Sequence, residues 1–222
     1  MSVTVVISTL NEEVGIAGAI ESAFAAGAVE VIVADGGSVD RTGRFATSAG
    51  ARVLLCEPMR ARQLNQGAHA AGNDALIFLH ADTRLPLGAA RAVEDALARG
   101  ADFGGFRLAF TEPARKLRVA AALINLRTTL TRCPWGDQAQ FVRREAFLRL
   151  GGFLEIPLME DYDLAIRMKR SGRSVLLPLT VTTSGRRFLR KGVLRTAASN
   201  WRTIIRYRTG ADIDALARNY RR

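Results

Sequence analysis

The feature that most restricts the fold is an alternation, across the first hundred residues, between apolar strand-like runs and segments with helical spacing. VTVVIST (residues 3–9) is followed by NEEVGIAGAIESAFAAG, where Ile16, Ile20 and Phe24 recur at helical spacing. Glu12 and Glu13 suit the start of that helix, and Gly27 suits its end. VEVIVA, RVLLCE and ALIFLH read as further strands; RTGRFATSAG, RARQLNQGAHAAG and LGAARAVEDALARG read as the helices between and after them. Strands alternating with helices predict a parallel sheet covered on both faces. Uninterrupted apolar strands agree, because parallel strands are buried on both sides.

The second half is less regular. FGGFRLAF and QAQFVRR read as strands separated by a helix over about Pro113 to Thr131. YDLAIRMKRSG reads as helix, SVLLPLTVTT as extended chain, and about Leu189 to Arg208 as helix again. No repeat, low-complexity stretch or linker divides the 222 residues, so the expectation is one α/β domain with a helical C-terminal end.

Composition narrows the function classes. Hydrophobic residues at 48% can build a sizeable core. Cys56 and Cys133 are the only cysteines, which argues against a disulfide scaffold and for a reducing cytoplasm. With His69 and His80 as the only histidines, a zinc site is not expected. The chain opens on a strand without a charged leader, and no apolar run reaches the roughly 18 residues of a membrane span. The expectation is therefore a cytoplasmic protein, soluble or peripheral on the inner face of the membrane. Its net charge is +11, and residues 186–222 carry eleven basic residues against two acids, or +9 of that total. A nucleic-acid binder would spread basic residues over a binding face, and no such motif or stacking platform is present, so nucleic acid is not expected as a partner.

In open parallel sheets, ligands lie beyond the carboxyl ends of the strands. The first strand delivers Thr9 and Asn11 there, and the second delivers Asp35 in ADGGSVDRT. The third leads to Arg60 and Arg62, and the fourth to His80 and Asp82 in LHADT. Each has an ordinary alternative: Thr9 and Asn11 as helix caps, Asp35 in a glycine turn, the arginines as solvated charges, Asp82 as a turn residue. Gathered on one edge, they are what a nucleotide diphosphate and its metal require. Asp82 is the candidate ligand for Mn2+ or Mg2+, which prefer oxygen and share it with phosphates.

With these residues in place, the chain resembles the family 2 glycosyltransferases of the GT-A fold. ISTLNEE looks like their first nucleotide-binding segment, and VADGGSVDRT like their D-G-S-x-D-x-T stretch. LHADT stands where the family carries D-x-D, and GGF followed by LMEDYDLAIRMKRSGR looks like the later segment with the E-D pair. The match runs from about Val3 to Arg173. RARQLN, LHADT, WGDQ and NWR also resemble a subgroup named for its association with radical-SAM and selenium-related domains, in which glycine is favoured where Met59 stands.

The resemblance implies a Rossmann-like, mostly parallel sheet with helices on both faces. The glycosyltransferase domain would span 1–185, with a nucleotide-binding half over about 1–100 and an acceptor half over about 101–185. Residues 186–222 would be a basic helical extension packed on the same domain. It implies inverting transfer of a sugar, of the hexosyltransferase class, from a UDP- or GDP-type donor to an acceptor hydroxyl, with Mn2+ or Mg2+. Thr9, Asn11, Glu12, Asp35, Arg60, Arg62 and His80 would contact the nucleotide, and Asp82 the metal. His80 departs from the family pattern by replacing the first aspartate of D-x-D, which removes a negative charge. Asp161 would be the base, with Glu160 orienting the acceptor or the loop. Adjacent helical residues point about 100° apart, so one of the two faces the sugar.

Trp135 and Gln138 are candidate acceptor contacts, against the alternative of a core aromatic and its neighbour. In the tail, Leu194, Ala197, Ala198, Trp201, Ile204 and Ile205 share a helical face. They would dock on the domain or lie on an anionic membrane, which would suit a lipid-linked acceptor. Arg186 and Arg187 could instead reach the diphosphate. A second copy of the chain is a further candidate partner. Alternative functions are a nucleotidyltransferase, which usually shows a glycine-rich basic loop after its first strand, and an inactive nucleotide-sugar-binding protein.

Overall fold

A computed structural model describes residues 1–221. In chain order the elements are β1 (Val3–Thr9), α1 (Ile16–Ala25), β2 (Glu30–Asp35), α2 (Thr42–Ser48), β3 (Arg52–Leu55), α3 (Arg60–Ala70), β4 (Ala75–His80), β5 (Thr83–Arg84), α4 (Ala89–Ala98) and β6 (Phe103–Phe110). They continue with α5 (Arg115–Thr131), a 3-10 turn (Gly136–Gln138), β7 (Phe141–Arg143), α6 (Arg144–Arg149), α7 (Glu160–Ser171), β8 (Ser174–Thr183), α8 (Arg186–Lys191), α9 (Val193–Arg208) and α10 (Ile213–Arg221).

All eight strands join one sheet in the order β3-β2-β1-β4-β7-β6-β8-β5. β3, β2, β1 and β4 run parallel, and β6 and β8 are also parallel. The three-residue β7 is antiparallel to both β4 and β6, and so splices the two parallel blocks. Side chains alternate across each strand and therefore feed two cores. Val3, Val5 and Ile7 of β1 pack with Ile16, Ile20, Val93 and Leu97 of α1 and α4. Val6 faces the other way, in a cluster with Leu64 of α3, Phe147 of α6, Leu164 and Met168 of α7, and Ile204 of α9.

The sheet curls strongly. β4 ends at His80 and β5 begins at Thr83, yet they occupy the fourth and eighth positions of the sheet. Three consecutive Cα–Cα steps cover at most about 11 Å. The β8–β5 edge must therefore bend back over the end of β4. Thr83 Oγ1 of β5 donates to Thr183 Oγ1 at the end of β8, 2.8 Å away.

Two helices differ from the pattern in the sequence. α1 starts at Ile16 rather than at the glutamates. Residues 11–13 are instead tied to the loop after β2: Asn11 N donates to Ser38 Oγ (2.9 Å), and Val39 N donates to Asn11 Oδ1 (2.9 Å). Glu12 N donates to Thr42 Oγ1 (2.8 Å), and Glu13 accepts from Arg41 (3.1 Å). Asn11 takes a positive φ of 56° to do this. Thr9 and Asn11 consequently cap no helix; Gly15 occupies that position.

The expected helix over 189–208 is two helices, broken at Gly192, whose φ of 84° and ψ of 140° suit glycine. The proposed common face of α9 also divides. Ile204 is buried with Thr196 and Thr203, whereas Leu194, Trp201 and Ile205 are exposed. None of the helices in the described residues is long and apolar enough to cross a membrane.

Candidate active site

The parallel register aligns Thr9 with Asp35, and Ser8 with His80, along one carboxyl edge. Asp35 is buried and accepts from Thr9 Oγ1 (3.3 Å) and from Ser38 N (3.2 Å). Gln63 of α3, which the sequence reading passed over, fastens these strand ends. Its Nε2 donates to the carbonyls of Thr9 and Ala34, each at 2.7 Å. A buried amide spanning two strands through their backbone fixes the edge independently of any surface contact.

Beside this edge, burial raises the Glu12 carboxyl above its ordinary range. Asp82 raises it further, Arg186 opposes, and Asp40 adds a smaller rise. Glu12 and Asp82 are thus neighbouring carboxylates, and neither is in an ion pair among the described residues. Asp82 Oδ1 accepts only long bonds from Thr83 Oγ1 (3.3 Å) and Thr183 Oγ1 (3.4 Å). No cluster of three or more metal-holding side chains exists among the described residues. One or two carboxylates nevertheless suit Mg2+-like ions that keep waters and share substrate phosphates. The donor set therefore fits a cation completed by a diphosphate.

A second group converges on Gly136. A Cβ there would lie 2.8 Å from Arg60 Nη2, 2.9 Å from Asp161 Oδ2 and 3.0 Å from His80 Nε2, so any larger residue would push these side chains apart. Asp161 Oδ2 accepts from Gly136 N (2.7 Å), and Oδ1 accepts from Tyr162 N (2.7 Å). Glu160 is buried at the start of α7, where the helix dipole favours acids, and Arg60 Nε lies 3.3 Å from its Oε1. Burial raises the Glu160 carboxyl; Arg60 opposes and Asp161 adds.

Arg60 Nη2 also donates to His80 Nε2. Guanidinium has no acceptor, so that nitrogen carries no proton and the imidazole is neutral. Burial, then Arg60, hold its pKa well below 6.5.

Four of the named residues are therefore gathered: Arg60, His80, Glu160 and Asp161. Arg62 is not among them. Its guanidinium bridges Glu155 (2.7 Å) and Glu57 on the outside of α3. Gln138 is corrected as well. It is fully buried, its Oε1 accepts from Arg127 (2.9 Å) and Thr128 (2.7 Å), and its Nε2 donates to the Phe106 carbonyl (3.0 Å). It braces the loop from within, with its oxygen and its amide nitrogen both engaged inside the fold.

Trp135 is partly exposed, and the Arg127 guanidinium stacks 3.4 Å from its ring centroid. Arg127 was missed because a single arginine in LINLRTTL carries no local signal. Its Nε and Nη1 are buried without partners, as is Asp137 Oδ1. Burial pushes Asp137 up to about 6, against the pull of Arg127. Unpartnered buried polar atoms of opposite sign beside Asp161 mark a cleft that is polar in its walls.

The fold is that of the GT-A glycosyltransferases. Among solved structures, TarS of S. aureus (residues 1–349) superposes with a TM-score of 0.63 at 17% identity, covering 83% of this chain and 61% of that one. The chain thus spans less than two thirds of that protein fragment. TarS 1–349 in complex with UDP gives a TM-score of 0.62 at 16% identity, covering 85% and 62%. Glucosyl-3-phosphoglycerate synthase from Mycobacterium tuberculosis, in complex with Mn2+ and UDP-glucose, gives 0.57 at 22% identity, covering 82% and 70%. No curated protein matches the sequence. The sequence model described as glycosyl transferase family 2 matches residues 4–148, well over half the chain, and the protein belongs to that family.

Proposed function

We propose that this protein moves a sugar from a nucleoside diphosphate donor, of the UDP or GDP type, to an acceptor hydroxyl with inversion at the anomeric carbon. The observation that carries this reading is the convergence of Arg60, His80 and Asp161 on Gly136, beside the edge where β1 and β2 end at Thr9 and Asp35 and the loops after β1 and β4 carry Glu12 and Asp82. Family membership supports it, as do the UDP and UDP-glucose complexes of the structural neighbours.

Asp161 is the base. Two backbone N–H groups, from Gly136 and Tyr162, fix its carboxylate, and it takes the acceptor's hydroxyl proton. The acceptor oxygen bonds to the anomeric carbon as the bond to the diphosphate breaks, and that electron pair leaves with the diphosphate. Glu160 holds Arg60 and so positions the wall behind Asp161. Asp35 and Thr9 offer acceptors to the nucleoside. Arg186, whose charge reaches Glu12, stands over the diphosphate end. Mn2+ or Mg2+ held by Asp82, with Glu12 beside it, would neutralise charge on the departing diphosphate. The acceptor contact moves from Gln138 to the exposed side of Trp135 and Arg127.

We further propose that the protein works at an anionic membrane surface. α5 exposes Val119, Leu123, Leu126 and Leu130, and the neighbouring α9 exposes Leu194, Trp201 and Ile205. Exposed Arg115, Lys116, Arg118, Arg190 and Arg206 accompany them. Apolar stripes with basic flanks match a bilayer interface with anionic headgroups, while a second copy would meet them with like charge. Flotation with phosphatidylglycerol vesicles at low salt should carry the protein upward, and Leu123→Glu with Leu126→Glu should abolish this.

Thermal shift with UDP, GDP and their sugars, with and without Mn2+, tests the donor reading. A shift that needs both diphosphate and Mn2+ is expected. No shift with any diphosphate would remove the assignment.

A further inference from the structure

α8, α9 and α10 line a groove of about 470 Å³. Its polar lining includes Arg187 and Lys191 of α8, Arg195, Ser199 and Arg202 of α9 and Tyr220 of α10. No carboxylate lines it, and none of these four cations is in an ion pair among the described residues. Arg187 and Lys191 stand at i, i+4 in one short helix, an arrangement that weakens a helix when the charges are alike. Elsewhere on this protein, exposed arginines at that spacing are matched with acids, as in Arg91–Asp95 and Arg149–Glu145. The four groove cations have no such acid among the described residues, and a bound anion would relieve their mutual repulsion.

Its position is informative. The Arg187 guanidinium lies 4.0 Å from the centroid of the Tyr220 ring, and the Tyr220 hydroxyl donates to Asn200 Oδ1 at 3.1 Å. Burial raises the Tyr220 phenol, Arg187 opposes, and the charges of Asp161 and Asp137 add to the rise. The groove is thus within electrostatic reach of the base. One residue earlier, Arg186 acts on Glu12 at the donor end. Successive residues of α8 therefore act electrostatically on Glu12 and on Tyr220.

We infer that the groove binds a phosphate group carried by the acceptor, with Arg187, Lys191, Arg195 and Arg202 as its ligands and Ser199 as a hydroxyl donor. This names the acceptor class for the transfer proposed above and rests on that reading for its catalytic meaning. Arginine matches phosphate through planar, multidentate N–H donors, and four cations suit a dianionic monoester better than a neutral sugar. The phosphate could come from a soluble metabolite or from a lipid headgroup.

The test is calorimetric binding of glycerol phosphate and of dioctanoyl phosphatidate to the full chain, and to Arg195→Gln with Arg202→Gln. Both arginines are exposed, so the double variant should fold. UDP binding is measured on the same samples. Wild type should bind at least one phosphate probe, the double variant should bind it at least tenfold more weakly, and UDP affinity should not change. The probe that binds more tightly identifies the soluble or the lipid source. Failure of both probes to bind, or binding that survives the double variant, overturns the inference. UDP binding beside such a failure overturns the groove alone. Phosphate binding lost in the variant, without any UDP binding, supports the groove and overturns the glycosyl-transfer reading.

Discussion

Asp161 holds two backbone N–H groups with its two oxygens, and no neutral side chain of the same shape can do both. An amide would point its NH2 at one donor. Asp161→Asn should therefore lower turnover by orders of magnitude, with UDP affinity within a few-fold of wild type in a binding assay. His80 makes a different prediction. Arg60 already donates to it, so in His80→Asp that arginine would engage the introduced carboxylate and loosen its grip on Glu160. Mn2+ affinity should consequently stay unchanged in a titration with UDP, and the pH profile of turnover should shift instead.

Two buried groups give opposite stability slopes. Asp137 titrates at about 6 in the folded chain against 3.8 ordinarily, so the folded state holds the proton more tightly within that window. Stability then falls as pH rises from 3.8 to 6, by about 3 kcal/mol for this group at 1.36 kcal/mol per unit. His80 is lowered, so the unfolded chain protonates first and stability falls as pH drops below 6.5. Melting temperatures across pH 4–8 should lose the first slope in Asp137→Asn and the second in His80→Gln.

At the scale of elements, Gly192 separates α8 from α9 with a backbone that other residues strain to adopt. Gly192→Ala should destabilise the C-terminal helices by about 1–3 kcal/mol, seen as earlier proteolysis after residue 185. That break also shows where reading the sequence stops. β1, β2, β4, β6 and β8 were legible because long β-branched or alternating runs admit one period. α5 and α7 were legible from helical spacing. A lone glycine in a basic segment gives no such signal, and the loop that removes residues 11–15 from α1 depends on Ser38, Val39, Arg41 and Thr42, some thirty positions away. Site residues followed the same division. Asp35, His80 and Asp82 could be placed because strand ends point there. Arg62, beyond the third strand, and Gln138, beside Trp135, turn elsewhere because their partners Glu155 and Phe106 lie 93 and 32 residues distant.

At the scale of the molecule, the curled sheet meets itself at Asp82. Thr183 supplies the hydroxyl that joins β8 to Thr83 and touches the candidate metal ligand. Thr183→Val should cost about 1 kcal/mol in thermal or denaturant unfolding, the usual worth of such a bond, and should weaken Mn2+ binding in the presence of UDP.

The same closure has a temporal side. Thr83 and Thr183 are 100 residues apart in the chain, and contacts of such separation form late because long loops must close first. During synthesis, the family-matching stretch up to residue 148 is made and begins to emerge while β8 is still confined or unmade. A nascent chain at that stage has its first parallel block and its nucleotide loops, but Asp82 hangs from an unpaired edge. Under the proposed function, donor capture and metal binding would thus belong to the finished protein, and a chain stalled before Thr183 should hold sugar nucleotide poorly and turn none of it over.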